Sequence, residues 1–429
     1  MKWVRFIIHE LLRPRGSKRH RFYRVGRSSR SGVALLMAIA FFLFFQIMSI
    51  ELGMTALVRV KMAANQRDEA KAEALAESGF HMYRLILVAA KGLEQGMAGI
   101  PMLKDLGIGG DTLWQQIPFI NTSMLRMIFV SGGSIDEDEY MELETEGLTE
   151  EQLEDSRESK GSSRNFLDFD GDFTAEVHDE SMRINIKRIQ ASNMTELQTD
   201  PVGAQLISLM TGVNYCEALR NEQQAGTDYK DDNTAFFYER NLEPLELIGN
   251  LADWTDIDDN RAYLGGSENS LYERLDSPYK SKNAPFDTFQ EVRLVEGWHR
   301  DDVWNKFGQY LTVYGDGKVN VNTAECEVIV ALLKTYLDPV PNDQMLLMYM
   351  KGLEEFKSLM NFSNEDQFIS TLVQAGATPK PELKAAITTK TWLYRIESTG
   401  EVGDARVTVE TVIDFSKSTE GKILYWRVK

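Results

Sequence analysis

Hydrophobic and polar positions follow several distinct rhythms along the chain, and each predicts a different element. Val33 to Ile50 is a run of eighteen uncharged residues in which Gln46 and Ser49 are the only polar side chains. As a helix it spans roughly 27 Å, close to the core of a bilayer. Past Ile50 the pattern stays helical and free of proline. Met62, Gln66, Ala70, Glu73, Ala76, Phe80, Tyr83 and Leu87 step by three and four, a semi-apolar stripe on one face. One helix from Val33 to about Lys91, on the order of 90 Å long, is expected. Residues 92–134 read as short helices and turns, and "NFLDFDGDFTAEVHDESMRINIKRI" alternates as strands do. Helical spacing broken by Gly, Pro and Asn dominates from Ala191 to Thr378. Near the end the rhythm returns to two: Trp392, Tyr394 and Ile396 share one face, and Val407, Val409 and Ile413 alternate with Arg406, Thr408 and Glu410. Gly400 and Gly403 supply the turn, and "KILYWRV" adds a further strand. The expectation is an antiparallel sheet with one wet face. Strand material brackets a helical block, so the fold class is α+β, with a large helical domain inserted into a small sheet unit.

Charge divides the chain in two. Residues 1–32 hold ten Lys or Arg against Glu10 alone, which leaves 37 basic and 64 acidic residues in the remainder. The basic flank predicts a cytoplasmic N-terminus and a body on the far side of the membrane. The acidic body argues against nucleic acid as its main partner, since phosphate binding needs a cationic face. Residues 135–164 are so acidic and so poor in large apolar side chains that they read as a solvated insertion. Cys216 and Cys326 form no CxxC spacing, which argues against zinc or iron–sulfur, and they could pair in an oxidising compartment.

The apolar run admits three readings. A cleaved secretion signal has a shorter core, of about 7–15 residues, with a small-x-small site after it. A plain single-pass anchor accounts for the run and the charge bias but not for Gly32. The third reading uses the glycine. A basic leader, Gly32, then an apolar helix end fused to a long amphipathic one resembles a type IV prepilin or a type II secretion pseudopilin. That resemblance implies cleavage after Gly32 by a prepilin peptidase, methylation of Val33 as the new N-terminus, and later packing of the helix into a filament. The sequence departs from the usual pattern: the fifth mature position, commonly Glu, is Met37, and the first is Val33 rather than Phe. Loss of that acid points to the K class of minor pseudopilins.

Candidate chemistry concentrates in one segment. Asp253, Asp256, Asp258, Asp259, Glu268 and Asn269 crowd into a short stretch with Gly265 and Gly266. Oxygen ligands at that density suit calcium, although carboxylates also cap helices and fill loops. By contrast, Asp168, Asp170 and Asp172 fail the EF-hand pattern, because Phe173 stands where it needs glycine, and a turn between strands is expected there. The segment also resembles the K-class signature in Asp253-Trp254, Asp256, Asp258, Gly266-Ser267-Glu268, Pro278-Tyr279, Asn283-Ala284-Pro285 and Val292 to Gly297. A second likeness is "GKVNVNTAECEVIVALL", in which Asn320, Asn322 and Thr323 are expected to cap the helix that follows, with Glu325 and Glu327 at its positive end. Asn185 is a weaker echo. Asn-Thr-Ala also occurs in helix-hairpin-helix DNA-binding modules, but no Gly-rich hairpin follows here.

The order of these stretches identifies the chain as similar to the K class. The resemblance implies calcium in the helical domain, minor pseudopilins of the I and J classes and inner-membrane secretion components as partners, and a place at the tip of a pseudopilus anchored in the inner membrane, with the body periplasmic. A minor pilin of a type IV pilus is the nearest alternative, and a membrane-tethered DNA-binding protein a more distant one. The expected organisation is a leader, 1–32; a transmembrane and amphipathic helix, 33–92; the start of the sheet core with its acidic insertion, 93–190; a helical domain of two SAM-like subdomains, 191–378; and a C-terminal sheet, 379–429. No enzyme is expected: after Gly32 only His81, His178 and His299 occur, none in a metal spacing or beside a nucleophile motif.

Overall fold

A computed structural model describes residues 30–97, 114–115, 117–125, 170–187, 189, 191–211, 216 and 232–429. The leader before Arg30 and the acidic insertion 135–164 lie outside the described residues. Helix α1 runs Arg30–Met97, 68 residues without a proline, about 100 Å at 1.5 Å per residue. The described residues fall into two compact units, one ending at Ala64 and the other beginning at Asn65. In the first unit α1 is solvent-exposed from Val33 to Ala63, and its apolar stretch is long and apolar enough to cross a membrane.

In the second unit α1 lies on an antiparallel sheet of β1 (Phe119–Asn121), β2 (Asp172–Asp179), β7 (Leu393–Val402), β8 (Ala405–Asp414) and β9 (Lys422–Val428), joined in that order. Ala72, Leu75, Phe80, Tyr83 and Leu87 form one core with Phe173, Val177, Tyr394, Ile396 and Ile413. The expected stripe is thus only half used. Ala76, Phe80, Tyr83 and Leu87 are buried, whereas Met62, Gln66, Ala70 and Glu73 are exposed, because the helix meets the sheet only from about Ala72 onward. The approach is close: a Cβ on Gly400 would stand 2.0 Å from the Ala72 carbonyl, and one on Gly79 would stand 2.3 Å from Ser398 Oγ. Further along, Lys91 donates to the Thr391 carbonyl at 2.9 Å and lies over the Trp392 ring.

Between β2 and β7 the chain leaves the sheet and builds the helical domain. Its short strands β3 (Ile184–Asn185), β4 (Leu311–Thr312), β5 (Val319–Asn320) and β6 (Ile387–Thr388) pair in parallel, β3 with β4 and β5 with β6. Three bonds recur in the two pairs. Ile186 N–H donates to the Thr312 carbonyl, as Val321 N–H does to Thr388. Asn185 Oδ1 accepts from Lys187 N, as Asn320 Oδ1 does from Asn322 N. Thr312 Oγ1 accepts from Tyr314 N, as Thr388 Oγ1 does from Lys390 N. Each pair closes off a helical subdomain. The first holds α2 (Met194–Thr199), α3 (Pro201–Thr211), α4 (Asp232–Arg240), α5 (Pro244–Thr255), α6 (Asn269–Tyr272) and α7 (Asp301–Phe307). The second holds α8 (Cys326–Tyr336), α9 (Asp343–Leu359), α10 (Glu365–Gln374) and α11 (Leu383–Ala386). They share a single apolar core, in which Leu206 and Met210 of α3 join Ile329 and Leu333 of α8. Cys216 and Cys326 form a disulfide that links the two.

Two expectations are corrected. Asn320, Asn322 and Thr323 do not cap α8, which begins after Glu325 with no side-chain cap. Instead Asn320 and Thr323 donate to the buried Asp179 Oδ2 at 2.6 and 2.7 Å. Asn322 donates to the Phe362 and Thr389 carbonyls. Buried acceptors need donors, and these side chains serve distant ones rather than the next helix. Nor is one face of the sheet wet throughout. Arg395 and Glu410 are buried on it, where Arg395 donates to both oxygens of Glu180 at 2.7 Å and pairs with Glu410. The helical domain, entered at Glu180, covers that end. At the other end, among the described residues, Asp172, Glu176, Glu397 and Glu401 line an open polar concavity.

Candidate functional site

Helix α5 starts on Pro244, whose missing N–H costs nothing in a first turn. It ends at Thr255, with Asp253 in its last turn and Asp256 as the residue that closes it. The chain then makes a loop pinched by a bridge between Asn260 and Ser267. At its tip Leu264, Gly265 and Gly266 all take positive φ, a conformation that explains the glycine pair. The loop returns Glu268 to the start of α6.

This path brings three carboxylates together. One oxygen each from Asp253, Asp256 and Glu268 lies within 4.8 Å of the others, and all three residues are buried. Asp253 Oδ1 accepts from Ala262 N at 2.8 Å. Asp253 Oδ2, both Asp256 oxygens and both Glu268 oxygens have no hydrogen-bond partner among the described residues. Trp254, Tyr272 and Tyr279 pack against one another beside them. The electrostatics follow from that setting. Burial pushes Asp253 up to about 7, with the neighbouring Asp256 charge adding to it. Burial and then Asp258 push Asp256 up to about 7. Burial and then Asp256 push Glu268 up to about 8. Three acids crowded out of water, with five oxygens unserved, must either hold protons or face a cation. A hard divalent ion suits all-oxygen donors of this kind.

The other three expected ligands are placed differently. Asp258 Oδ1 accepts from Asn260 N at 2.7 Å, which holds its carboxyl below the usual range. Asp259 accepts from Ser267 Oγ and Asn269 Nδ2 at 3.0 and 2.7 Å. Asn269 Oδ1 accepts from Ser281 N. They shape the loop while the buried three converge. Two residues outside the expected set complete the frame. Ser281 Oγ donates to the Asp253 carbonyl at 3.0 Å, and Asn283 Nδ2 donates to the Asp258 carbonyl at 2.6 Å. Asn283 takes a positive φ, and its Asn-x-Pro context is the one signal in the sequence that marks it.

Gly32 and Val33 lie in the first turns of α1, and Val33 is exposed. Asn320, Asn322 and Thr323, the residues on which a DNA-binding reading would rest, are committed to partners within the protein.

An exposed apolar helix end, a sheet that seats the other half of that helix, and a helical domain with a carboxylate pocket inserted into the sheet are the features that mark this chain. Residues 234–316, which contain the pocket, match the family model described as Type II secretion system (T2SS), protein K. The chain is 26% identical over 192 residues to Type II secretion system protein K of Aeromonas hydrophila, covering 43% of this chain and 54% of that protein. It is 27% identical over 179 residues to the protein of the same name from Pseudomonas aeruginosa, covering 41% and 48%. The chain therefore spans about half the length of these curated relatives. A structural search finds the GspK-GspI-GspJ complex of enterotoxigenic Escherichia coli, at a TM-score of 0.40 and 16% identity over 61% of this chain and 80% of that one. The resemblance to the K class drawn from the sequence is borne out by the family model and the curated relatives.

Proposed function

We propose that this chain is a minor pseudopilin at the tip of a type II secretion pseudopilus, where it primes assembly for protein export across the outer membrane. The observation that carries the reading is one continuous helix with two environments, α1, in a chain whose residues 234–316 match protein K. Its exposed apolar end suits a bilayer first and a bundle of sibling helices later, while its other end is fixed to the sheet. In this reading a prepilin peptidase cuts after Gly32 and Val33 becomes the methylated N-terminus. The leader is cytoplasmic, the anchor lies in the inner membrane and the body is periplasmic. The partners are minor pseudopilins of the I and J classes. The inserted helical domain is bulky for a filament shaft and suits a cap. Met37 carries no charge to offer a subunit above, as expected where there is none. No catalysis is assigned to the chain, whose buried acids are accounted for by structure and by cation binding.

Calcium is the cation assigned to the helical domain. Asp253, Asp256 and Glu268 would hold it, and when bound it supplies the positive charge their crowded carboxylates lack. Binding then replaces protons at the site and ties the end of α5 to the start of α6.

Mass spectrometry of the mature chain tests the core of the proposal. The expected product begins at methylated Val33, and deletion of the gene stops secretion. An intact leader, or normal export without the gene, counts against it. A minor pilin of a type IV pilus is the alternative, and the process lost on deletion, secretion or piliation, separates the two.

A further inference from the structure

We propose that the free edge of β9 is a strand-addition site, where an extended segment of a partner pseudopilin, alternating apolar and acidic side chains, continues the sheet; this rests on the assembly role proposed above. β9 ends the five-stranded sheet, and among the described residues no strand pairs with its far side. Six of its seven residues are exposed.

The register shows which backbone groups are open. Thr408 and Lys429 exchange both backbone bonds, at 3.0 and 2.8 Å. Bonded and non-bonded pairs alternate in an antiparallel ladder, so Glu410 with Arg427 is the next bonded pair. Trp426 and Val428, opposite Thr411 and Val409, therefore direct their N–H and C=O groups away from β8. The apolar layer is open at the same margin. Trp426 meets the buried Phe80 of α1 edge-on at 5.1 Å yet stays 38% exposed, and Val428 is 41% exposed. A strand added here gains main-chain bonds from the ladder and specificity from its alternate side chains.

Charge selects the occupant. Lys422 and Arg427 are the charged side chains of the strand, both cations, while Lys429 beyond it pairs with Glu410 of β8 at 2.6 Å, in a chain with 65 acidic and 47 basic residues. A second β9 laid alongside would set cation against cation. An acidic strand is matched instead, and lysines at an edge discourage indiscriminate pairing.

The test uses the full chain, co-expressed with partners of the I and J classes and purified from membranes in detergent. Val428→Pro removes an outward N–H without touching the β8 ladder, a position where an edge strand tolerates proline. Its melting temperature is expected to match wild type, while partner recovery falls about tenfold, the equivalent of ~1.4 kcal/mol. Val428→Thr, which keeps the N–H, retains recovery, and Arg427→Glu lowers it. Hydrogen exchange gives a second readout: the Trp426 and Val428 amides exchange quickly in the free chain and slowly in the complex. Undiminished recovery with Val428→Pro, together with unprotected amides, overturns this proposal and leaves the tip-complex reading standing. Failure of the wild type to recover any partner overturns both. Protection of the same amides by self-association of the chain alone overturns the choice of occupant.

Discussion

Two regions of this protein bury acids, and they solve the problem in opposite ways. At the joint between sheet and helical domain, burial would raise Glu180, but the Arg395 guanidinium outweighs it and holds the carboxyl below its ordinary range. Arg183 and Thr312 add bonds at 2.5 and 2.6 Å. Asp179 beside it has no cation partner among the described residues, and burial raises it, yet donors from Asn320, Thr323, Thr391 and Ser181 serve its oxygens. In the pocket of the first subdomain, the described residues serve one of the six carboxylate oxygens of Asp253, Asp256 and Glu268. The difference separates structure from site. Acids whose partners come from the fold hold it together, and the pocket acids are the ones to which the proposed calcium is assigned.

The comparison can be broken first at the joint. Arg395→Met leaves Glu180 with Arg183 and Glu410 with Lys429 as their remaining cations, and is expected to cost about 3 kcal/mol in denaturant unfolding. The double change Arg395→Met with Glu180→Gln should recover part of that loss. Were the joint merely a surface ion pair, the single change would cost well under about 1 kcal/mol.

Next in size is the effect of the cation on the pocket. At pH 8, calcium at about a hundredfold above its Kd should stabilise the chain by ~2.7 kcal/mol, read as a rise in melting temperature that a chelator reverses. Asp256→Asn and Glu268→Gln should abolish the rise. In chelated protein at pH 8 the same two variants should match or exceed wild type, since each removes a like charge. That sign is opposite to the one expected at the joint.

The pH dependence sharpens the contrast. Asp253, Asp256 and Glu268 are raised to about 7, 7 and 8 in the fold. A raised carboxyl contributes stability that is complete below its ordinary range and is lost as pH rises through its folded value. Chelated protein should therefore melt at a lower temperature at pH 8.5 than at pH 5.5. Calcium should restore stability at the higher pH and do little at the lower one, where protons hold the site. Equal melting temperatures across that range in chelator would show the pocket acids to be served after all. The smallest expected effect is Thr323→Val, which removes one of the donors to Asp179 and should cost ~1 kcal/mol at any calcium level.

How much of this could be read from the sequence depended on how local the cause was. The helix and the C-terminal hairpin were legible because period and proline-free length are local properties, and α1 and the β7–β8 pair follow them. The carboxylate pocket was legible as a region but not as a set. Density of acids named six residues, and the loop's fold decided that Asp253, Asp256 and Glu268 turn inward while Asp258, Asp259 and Asn269 brace it. The Asn-x-Asn-Thr stretch does not do what its sequence suggests, because a cap is the nearest use for such side chains and their partners are distant: Asp179, which Asn320 and Thr323 serve, lies 141 residues from Asn320, and Asn322 reaches the Phe362 and Thr389 carbonyls. The wet face failed for the same reason, since alternation in β7 and β8 cannot report what lies on top of Arg395 and Glu410.

The sequence by itself determined the membrane-length helix, its glycine and basic flank, the α+β division and the resemblance to protein K, because each rests on composition, period or motif order along one stretch of chain. Tertiary structure alone decided the pairing of Cys216 with Cys326, the convergence of three acids, the buried joint at Asp179 and Glu180, and the open edge of β9. Those depend on which distant groups the fold brings within a few ångströms, and burial, which turns a charge into a strut or a site, exists only once it has done so.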